Sequence, residues 1–321
     1  LDMPEQINAL IQAVSKTNPR TVVALSNGSP VLMPWLDDVS GVLELYLAGQ
    51  AGAGALAKLL FGDANPSGKL AETFPVSLDS VPAHVDYGQP TRRVVYREGL
   101  NVGYRFYTSY DKPVLFPFGF GLSYTQFSLG TATLEGGDPS LSRPVDVMVP
   151  VTNIGGVAGA AVIQVYVRQK NASAFRPDRE LKGYQKLNLA PGETKEARIK
   201  LDRRAFAFWD VEARDWRVEK DEFEILVGTS SVDISAFLPF ETAGDAALKP
   251  RPAFEHAQPE TMSDKDLAAL GLMVTPAEGT RPFHRNLMMG DIRNHWFGKR
   301  IYTKAEEQMQ AFFTNENDDP V

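Results

Sequence analysis

Between about residue 129 and residue 243 apolar residues recur at every second position, and no other feature of the chain limits its fold as much. The pattern comes in short bursts: "VDVMVPVTNIG", "AAVIQVYVRQ", "ELKGYQKLNL", "KEARIKLD", "WRVEKDEFEILVG" and "VDISAFLPF". A period of two is how a strand buries one face and wets the other. "APGET" and "GTSS" between the bursts supply turn chemistry. About seven strands in roughly 100 residues predict an antiparallel sandwich of two sheets.

The preceding region follows a different rule. "MPEQINALIQAVSKTNPR" places Ile7, Leu10, Ile11 and Val14 on one helical face, and Asn18-Pro19 stops the helix. "TVVALS" (residues 21–26) and "GVLELYL" (41–47) are unbroken apolar runs, as strands covered on both faces would be. "QAGAGALAKLLFG" follows as a small-residue helix ending near Gly62. This strand and helix order predicts an α/β sheet with helices on its faces over residues 1–128, incomplete because so few units are present. A sandwich of immunoglobulin or fibronectin type III kind then occupies 129–243. Between them "LFPFGFGLSYTQF", from Leu115 to Phe127, sets aromatics among glycines. Such a passage bends its backbone while its rings anchor it, so its aromatics are expected to be mostly buried.

Residues 244–321 are rich in Pro, Asp and Glu and read as an extension. "SDKDLAALG" carries Ser263 and Asp266 in capping-box positions, with Asp in place of Glu. "GDIRNHWFGKRIYTKAEEQMQAF" predicts a longer helix broken near Gly298.

Several function classes drop out. A net charge of −7 disfavours nonspecific binding to nucleic acid or anionic membrane. No apolar run approaches the roughly 18 residues of a spanning helix. Zero cysteines exclude disulfides and thiolate metal sites. His84, His256, His284 and His295 are scattered without ligand spacing, so no metal or cofactor is called for. The compartment stays open. The chain opens at Leu1 on a helix start, which is expected of a processed or excised piece.

The candidate sites weigh as follows. "GQAGAGALAKLLFG" has glycine density but no P-loop lysine, and reads as a close-packed helix start. "SNGSP" (residues 26–30) follows a strand, where α/β ligand crevices lie, and is equally an ordinary turn. Lys69 in "ANPSGKL" faces either solvent or a substrate. Glu98 sits between Arg97 and Arg105, so a structural role, in an ion pair with one of them or in bonds to backbone amides, is expected rather than that of a general acid. Phe206, Phe208, Trp209 and Trp216 form either a sugar platform or strand packing.

The stretch "NPRTVVALSNGSPVLMPWLDDVSGVLELYLAGQAGAGALAKLLFGDANPSGKLAETFP" closely resembles the second domain of glycoside hydrolase family 3, the β-glucosidase family. "YREGLNVGYRFY" and "LFPFGFGLSYTQF" resemble its next signatures, in order. "VTNIGGVAGAAVIQVYV", "RELKGYQKLNLAPGET" and "FEILVGTSS" resemble the fibronectin type III-like domain that follows. The resemblance implies α/β plus all-β: part of an (α/β)6-type sandwich domain, then a fibronectin type III-like β-sandwich and an irregular, helical tail.

It also implies retaining hydrolysis of terminal nonreducing β-D-glucosyl or related residues. That chemistry needs a nucleophilic carboxylate and an acid/base carboxylate roughly 5 Å apart. In the family the nucleophilic Asp lies on a preceding barrel and the acid/base Glu shortly before the segment that begins here with "LDMPEQ". No catalytic residue is therefore carried over, and the substrate-binding residues stay unknown. The expected partners are the barrel-bearing half, as a separate chain or a removed segment, and a β-glucoside. A homo-oligomer is left open, as is a noncatalytic carbohydrate-binding or scaffolding protein.

Overall fold

The computed structural model describes residues 1–84, 87, 95–246, 262–269, 289–293 and 295–316. The chain forms two compact units, one of Leu1–Val85 with Tyr96–Asp266, the other of Asp86–Val95 with Leu267–Val321.

The first unit opens with α1 (Glu5–Thr17), then β1 (Val22–Leu25), β2 (Gly41–Glu44) and α2 (Gly52–Leu60). β1 and β2 pair in parallel, Val22 opposite Gly41 and Leu25 opposite Glu44. Beneath them lies a small core of Leu25, Met33, Trp35 and Phe74. Trp35 is fully buried, and its indole N–H donates to Asn8 Oδ1 at 3.0 Å, which ties α1 to the core. Gly62, at φ +79, stops α2 as read from the sequence.

Three expectations change here. The second apolar run is strand only to Glu44, because Tyr46 takes a left-handed backbone at φ +46. β1 is not covered on both faces: Val22 and Ala24 are exposed and Leu25 is buried. The predicted apolar stripe of α1 is open too, with Ile7 44%, Leu10 63% and Val14 44% exposed, while Ile11 packs on the core.

The chain then runs through β3 (Phe74–Pro75), α3 (Tyr104–Ser109) and β4 (Val114–Phe116), with β3 and β4 antiparallel. The passage after β4 is anchored on both sides. Gly119 N donates to Leu70 O and Leu70 N to Phe120 O, each at 2.8 Å, on the α/β side. Ser231 N donates to Phe118 O at 2.9 Å, and Gln164 Nε2 to Gly119 O at 3.3 Å, from the sandwich. Phe118 stacks on Tyr104 at 4.7 Å and Phe116 on Phe120 at 5.2 Å. Phe116, Phe118, Phe120 and Phe127 are mostly though not fully buried, as expected, whereas Tyr124 is 51% exposed. The spacing of the glycines now has a cause. A Cβ on Gly119, at φ +85, would lie 2.4 Å from Gln164 Oε1, and one on Gly121 would lie 2.4 Å from Gly68 O.

The sandwich comprises β5 (Phe127–Leu129), β6 (Thr133–Gly136), β7 (Val145–Asn153), β8 (Gly159–Gln169), β9 (Glu180–Leu189) and β10 (Thr194–Leu201). It continues through α4 (Arg203–Phe206), β11 (Phe208–Asp210), β12 (Asp215–Arg217), β13 (Lys220–Gly228) and β14 (Ile234–Ala243). One four-stranded sheet runs β10-β7-β5 with β6 also on β7, and the other runs β14-β13-β8-β9. The alternation did its predicted work. Val145, Val147, Val149 and Val151 point inward from β7, against Ile163, Val165 and Val167 of β8 and Phe223, Ile225 and Val227 of β13. "WRVEKDEFEILVG", read as one strand, is two, because Trp216 belongs to a separate hairpin of β11 and β12.

Beyond the sandwich, Ser263 and Asp266 form the reciprocal capping box at the start of α5 (Asp264–Ala269), with Ser263 N to Asp266 Oδ2 at 2.8 Å and Asp266 N to Ser263 Oγ at 3.3 Å. In the second unit, α6 (Trp296–Glu316) runs unbroken through Gly298, where a break was expected. Gly298 is needed because a Cβ there would lie 2.2 Å from Ile292 O. No described helix is long and apolar enough to cross a membrane.

Candidate functional site

In open α/β sheets the ligand crevice lies at the carboxyl ends of the strands, and here β1 and β2 end in a cluster of polar groups. Ser26 Oγ donates to Tyr46 O at 3.1 Å, and Tyr46 N to Glu44 Oε1 at 2.8 Å. "SNGSP" is a turn, with Asn27 Nδ2 donating to Ser29 O at 2.7 Å. Three buried atoms at this end have no partner among the described residues: Asn27 Oδ1, Glu44 Oε2 and the Tyr46 hydroxyl. Burial pushes the Tyr46 phenol up to about 12, helped by Glu72 and Glu44 nearby, and burial followed by Glu44 raises the Glu72 carboxyl. The cluster thus holds two unmet acceptors, Asn27 Oδ1 and Glu44 Oε2, beside an unmet phenol hydroxyl. Sequence reasoning missed Glu44, Tyr46 and Glu72. The signal that marked them was a glutamate inside the apolar run "VLELYL".

The residues weighed from sequence do not converge on this place. Glu98 is buried at 8% exposure, yet it makes no ion pair among the described residues, which corrects the expected arginine contact. Its neighbours are engaged elsewhere: Arg97 reaches Asp264 at 2.6 Å and Arg105 reaches Glu180 at 3.8 Å. Lys69 is partly buried, and its ammonium donates to Gly121 O. Burial, with Lys186 nearby, lowers its pKa. His84 lies 3.6 Å from Asp79, and His295 accepts from Phe297 N at 3.3 Å; His256 and His284 fall outside the described residues. No group of metal-ligating side chains is found among the described residues.

Two further places fail chemically. A hollow of about 430 Å³ beside Asn65 and Ser67 is lined by more apolar than polar surface, and its two charged residues are paired with each other, Lys195 with Glu193 at 3.0 Å. The aromatic set does not make a flat platform. Phe206 is fully buried against Phe223, Trp209 and Trp216 stand edge to face at 5.6 Å, and Arg204 lies 3.5 Å above the Trp216 ring.

The sharpest electrostatic feature is structural. Glu180 of β9 is ringed by Arg176 at 2.7 Å, Lys182 at 3.4 Å and Arg105 at 3.8 Å. Burial alone would raise the Glu180 carboxyl, but Lys182, Arg176 and Arg105 outweigh it and hold it below the ordinary range. Burial and the two arginines also push Lys182 down, against the pull of Glu180. Arg176, at full hydrogen-bond contact, is therefore the partner that fixes Glu180.

Comparison with known proteins identifies the two domains. Residues 1–124 match the glycosyl hydrolase family 3 C-terminal domain, and residues 161–231 match a fibronectin type III-like domain. Thermostable beta-glucosidase B of Acetivibrio thermocellus is 45% identical over 270 residues, which cover 84% of this chain and 36% of that protein. An exo-alpha-(1->6)-L-arabinopyranosidase of Bifidobacterium longum is 41% identical, over 78% of this chain and 33% of the relative. The crystal structure of the Bifidobacterium adolescentis GH3 beta-glucosidase superposes with a TM-score of 0.74 at 36% identity, over 94% of this chain and 40% of that one. The chain thus spans little more than a third of the relatives it matches. On these matches the chain belongs to glycosyl hydrolase family 3 and carries that family's C-terminal α/β domain joined to the fibronectin type III-like sandwich.

Proposed function

We propose that the chain acts as the C-terminal part of a retaining β-glucosidase that hydrolyses terminal nonreducing β-D-glucosyl or related β-glycosyl residues. The nucleophile and the acid/base come from polypeptide outside these 321 residues, and the α/β domain docks on that polypeptide. The open face of this domain carries the reading. Ile7, Leu10 and Val14 of α1 and Val22 of β1 are exposed, and among the described residues β1 pairs only with β2. Such a surface calls for a covering sheet and helix. At its end, among the described residues, Asn27 Oδ1 and Glu44 Oε2 lack donors and the Tyr46 hydroxyl lacks a partner. The names of the relatives, β-glucosidases and an arabinopyranosidase, support a terminal pyranosyl substrate and leave the sugar itself to be measured.

The test is aryl-β-glucoside hydrolysis by the purified chain, then with the barrel-bearing half added. The chain alone should be inactive and activity should appear on mixing, together with slowed amide exchange in β1 and α1. Robust turnover by the chain alone, with no second polypeptide by mass spectrometry, would refute the reading.

A further inference from the structure

The backbone of residues 96–102 is held firmly, yet the side chains it presents are left unfinished. Two successive turns make the segment: Gly99 N donates to Tyr96 O at 3.0 Å, and Asn101 N to Glu98 O at 2.9 Å. A clasp from far along the chain fixes its start. Arg97 Nη1 donates to Met262 O at 2.9 Å, Met262 N donates back to Arg97 O at 2.9 Å, and Arg97 Nη2 reaches Asp264 at 2.6 Å. At the far end the buried Asn101 amide donates to the Tyr110 hydroxyl at 3.0 Å. Within this frame Glu98 is 8% exposed, with neither an ion pair nor a side-chain hydrogen bond among the described residues. A carboxylate so far withdrawn from water without a counter-charge is costly. Its neighbours in the segment are the reverse, since Tyr96, Leu100 and Val102 are each more than half exposed. An unpaired charge set low among open apolar side chains, on a preformed backbone, has the anatomy of an interface anchor.

We propose that residues 96–102 form a docking socket for an arginine of the barrel-bearing polypeptide. This rests on the reading of the chain as one part of a family 3 enzyme, and the matched relatives extend far beyond it, since it covers 36% of one and 40% of another. The charge of Glu98 calls for a cation. The open Tyr96 ring, two residues away, selects guanidinium over ammonium. A guanidinium bonds a carboxylate through two parallel N–H groups and stacks on an aromatic face, which a lysine does not match. Leu100 and Val102 exclude water from the pair once it has formed, and a desolvated charge pair is the kind that governs how long a complex lasts.

The assay titrates the barrel-bearing half into the chain and reads binding by sedimentation, with calorimetry of the free chain alongside. Glu98→Gln should raise the half-saturating concentration roughly thirtyfold or more and flatten its rise with salt. The free Glu98→Gln chain should melt no lower than its parent, because no contact within the chain is lost. Tyr96→Ala should weaken docking and Tyr96→Phe should keep it, since the ring is what stacks. Glu98→Arg should block docking, and reversing one arginine of the barrel-bearing half to glutamate should restore it. Parent halves that bind and still bind as tightly after Glu98→Gln overturn the socket alone. So does rescue by a lysine reversal or by none, and so does a free Glu98→Gln chain that melts several degrees lower. Parent halves that do not bind at all overturn the proposed assembly and the socket with it.

Discussion

Replacing Gly119 by Ala tests whether the passage between the α/β domain and the sandwich is held by close backbone approach. Two costs add. Gly119 has φ +85, and a side chain in that region costs roughly 1–2 kcal/mol. The new methyl would also sit 2.4 Å from Gln164 Oε1 and 2.5 Å from its Nε2. Gln164 cannot swing away freely: it is 3% exposed, and its amide donates to Thr229 O at 2.7 Å and accepts from the Tyr166 hydroxyl. Displacing it breaks two or three hydrogen bonds at about 1 kcal/mol each. The sum is roughly 3–5 kcal/mol, or a fall in Tm on the order of 10 °C by calorimetry. Gly28→Ala is the control, since a Cβ there meets nothing within 4 Å. Combining Gly119→Ala with Gln164→Ala separates the two costs, because it removes the clash and leaves the backbone strain. A Gly119→Ala protein that melts within about 2 °C of the Gly28→Ala control would refute the reasoning.

Phe118→Ala should cost about 2 kcal/mol rather than the ~4 of a fully buried ring, because the ring, stacked on Tyr104, is not fully buried; denaturant melts read the difference. Asn153→Ala should cost roughly 3–5 kcal/mol, since Asn153 is fully buried and its removal strands Val157 O, Leu189 O, Gly155 N and the Thr125 hydroxyl. The folded pKa of Glu180 lies below its ordinary 4.5, so its contribution is complete above that value and lost as the pH falls through the folded one. Glu180→Gln should therefore flatten the acid limb of the Tm–pH curve, and an unchanged limb would remove Glu180 from the account.

What the sequence made legible is what depends on local pattern. The alternation in "VDVMVPVTNIG" placed Val145, Val147, Val149 and Val151 inward because a strand's faces are set by parity alone. The Ser263 box was legible for the same reason: its partners are three residues apart. Contacts of long separation were not legible. Glu98 looked paired because Arg97 is its neighbour in sequence, yet Arg97 bonds Asp264, which no local rule foresees. Gly298 looked like a break because glycine disfavours helix, but the approach of Ile292 overrides that preference. Glu44 and Tyr46 went unremarked because their meaning lies in what they lack, and an unmet hydrogen bond is visible only in three dimensions.

The distribution of those unmet bonds supports the proposed assembly independently of any likeness to relatives. Seven buried side-chain atoms have no hydrogen-bond partner among the described residues, and six of them, on Asn27, Glu44, Tyr46, Thr73, Asn101 and Arg105, fall between residues 27 and 105. Only Asp146 Oδ1 belongs to the sandwich. A domain that is finished within one chain pairs nearly all its buried polar atoms, and the sandwich meets that standard. The α/β domain does not, and the same domain leaves the apolar stripe of α1 in solvent. Polar deficit and apolar excess have different physical origins, so their meeting on one domain points to a surface shaped for more polypeptide.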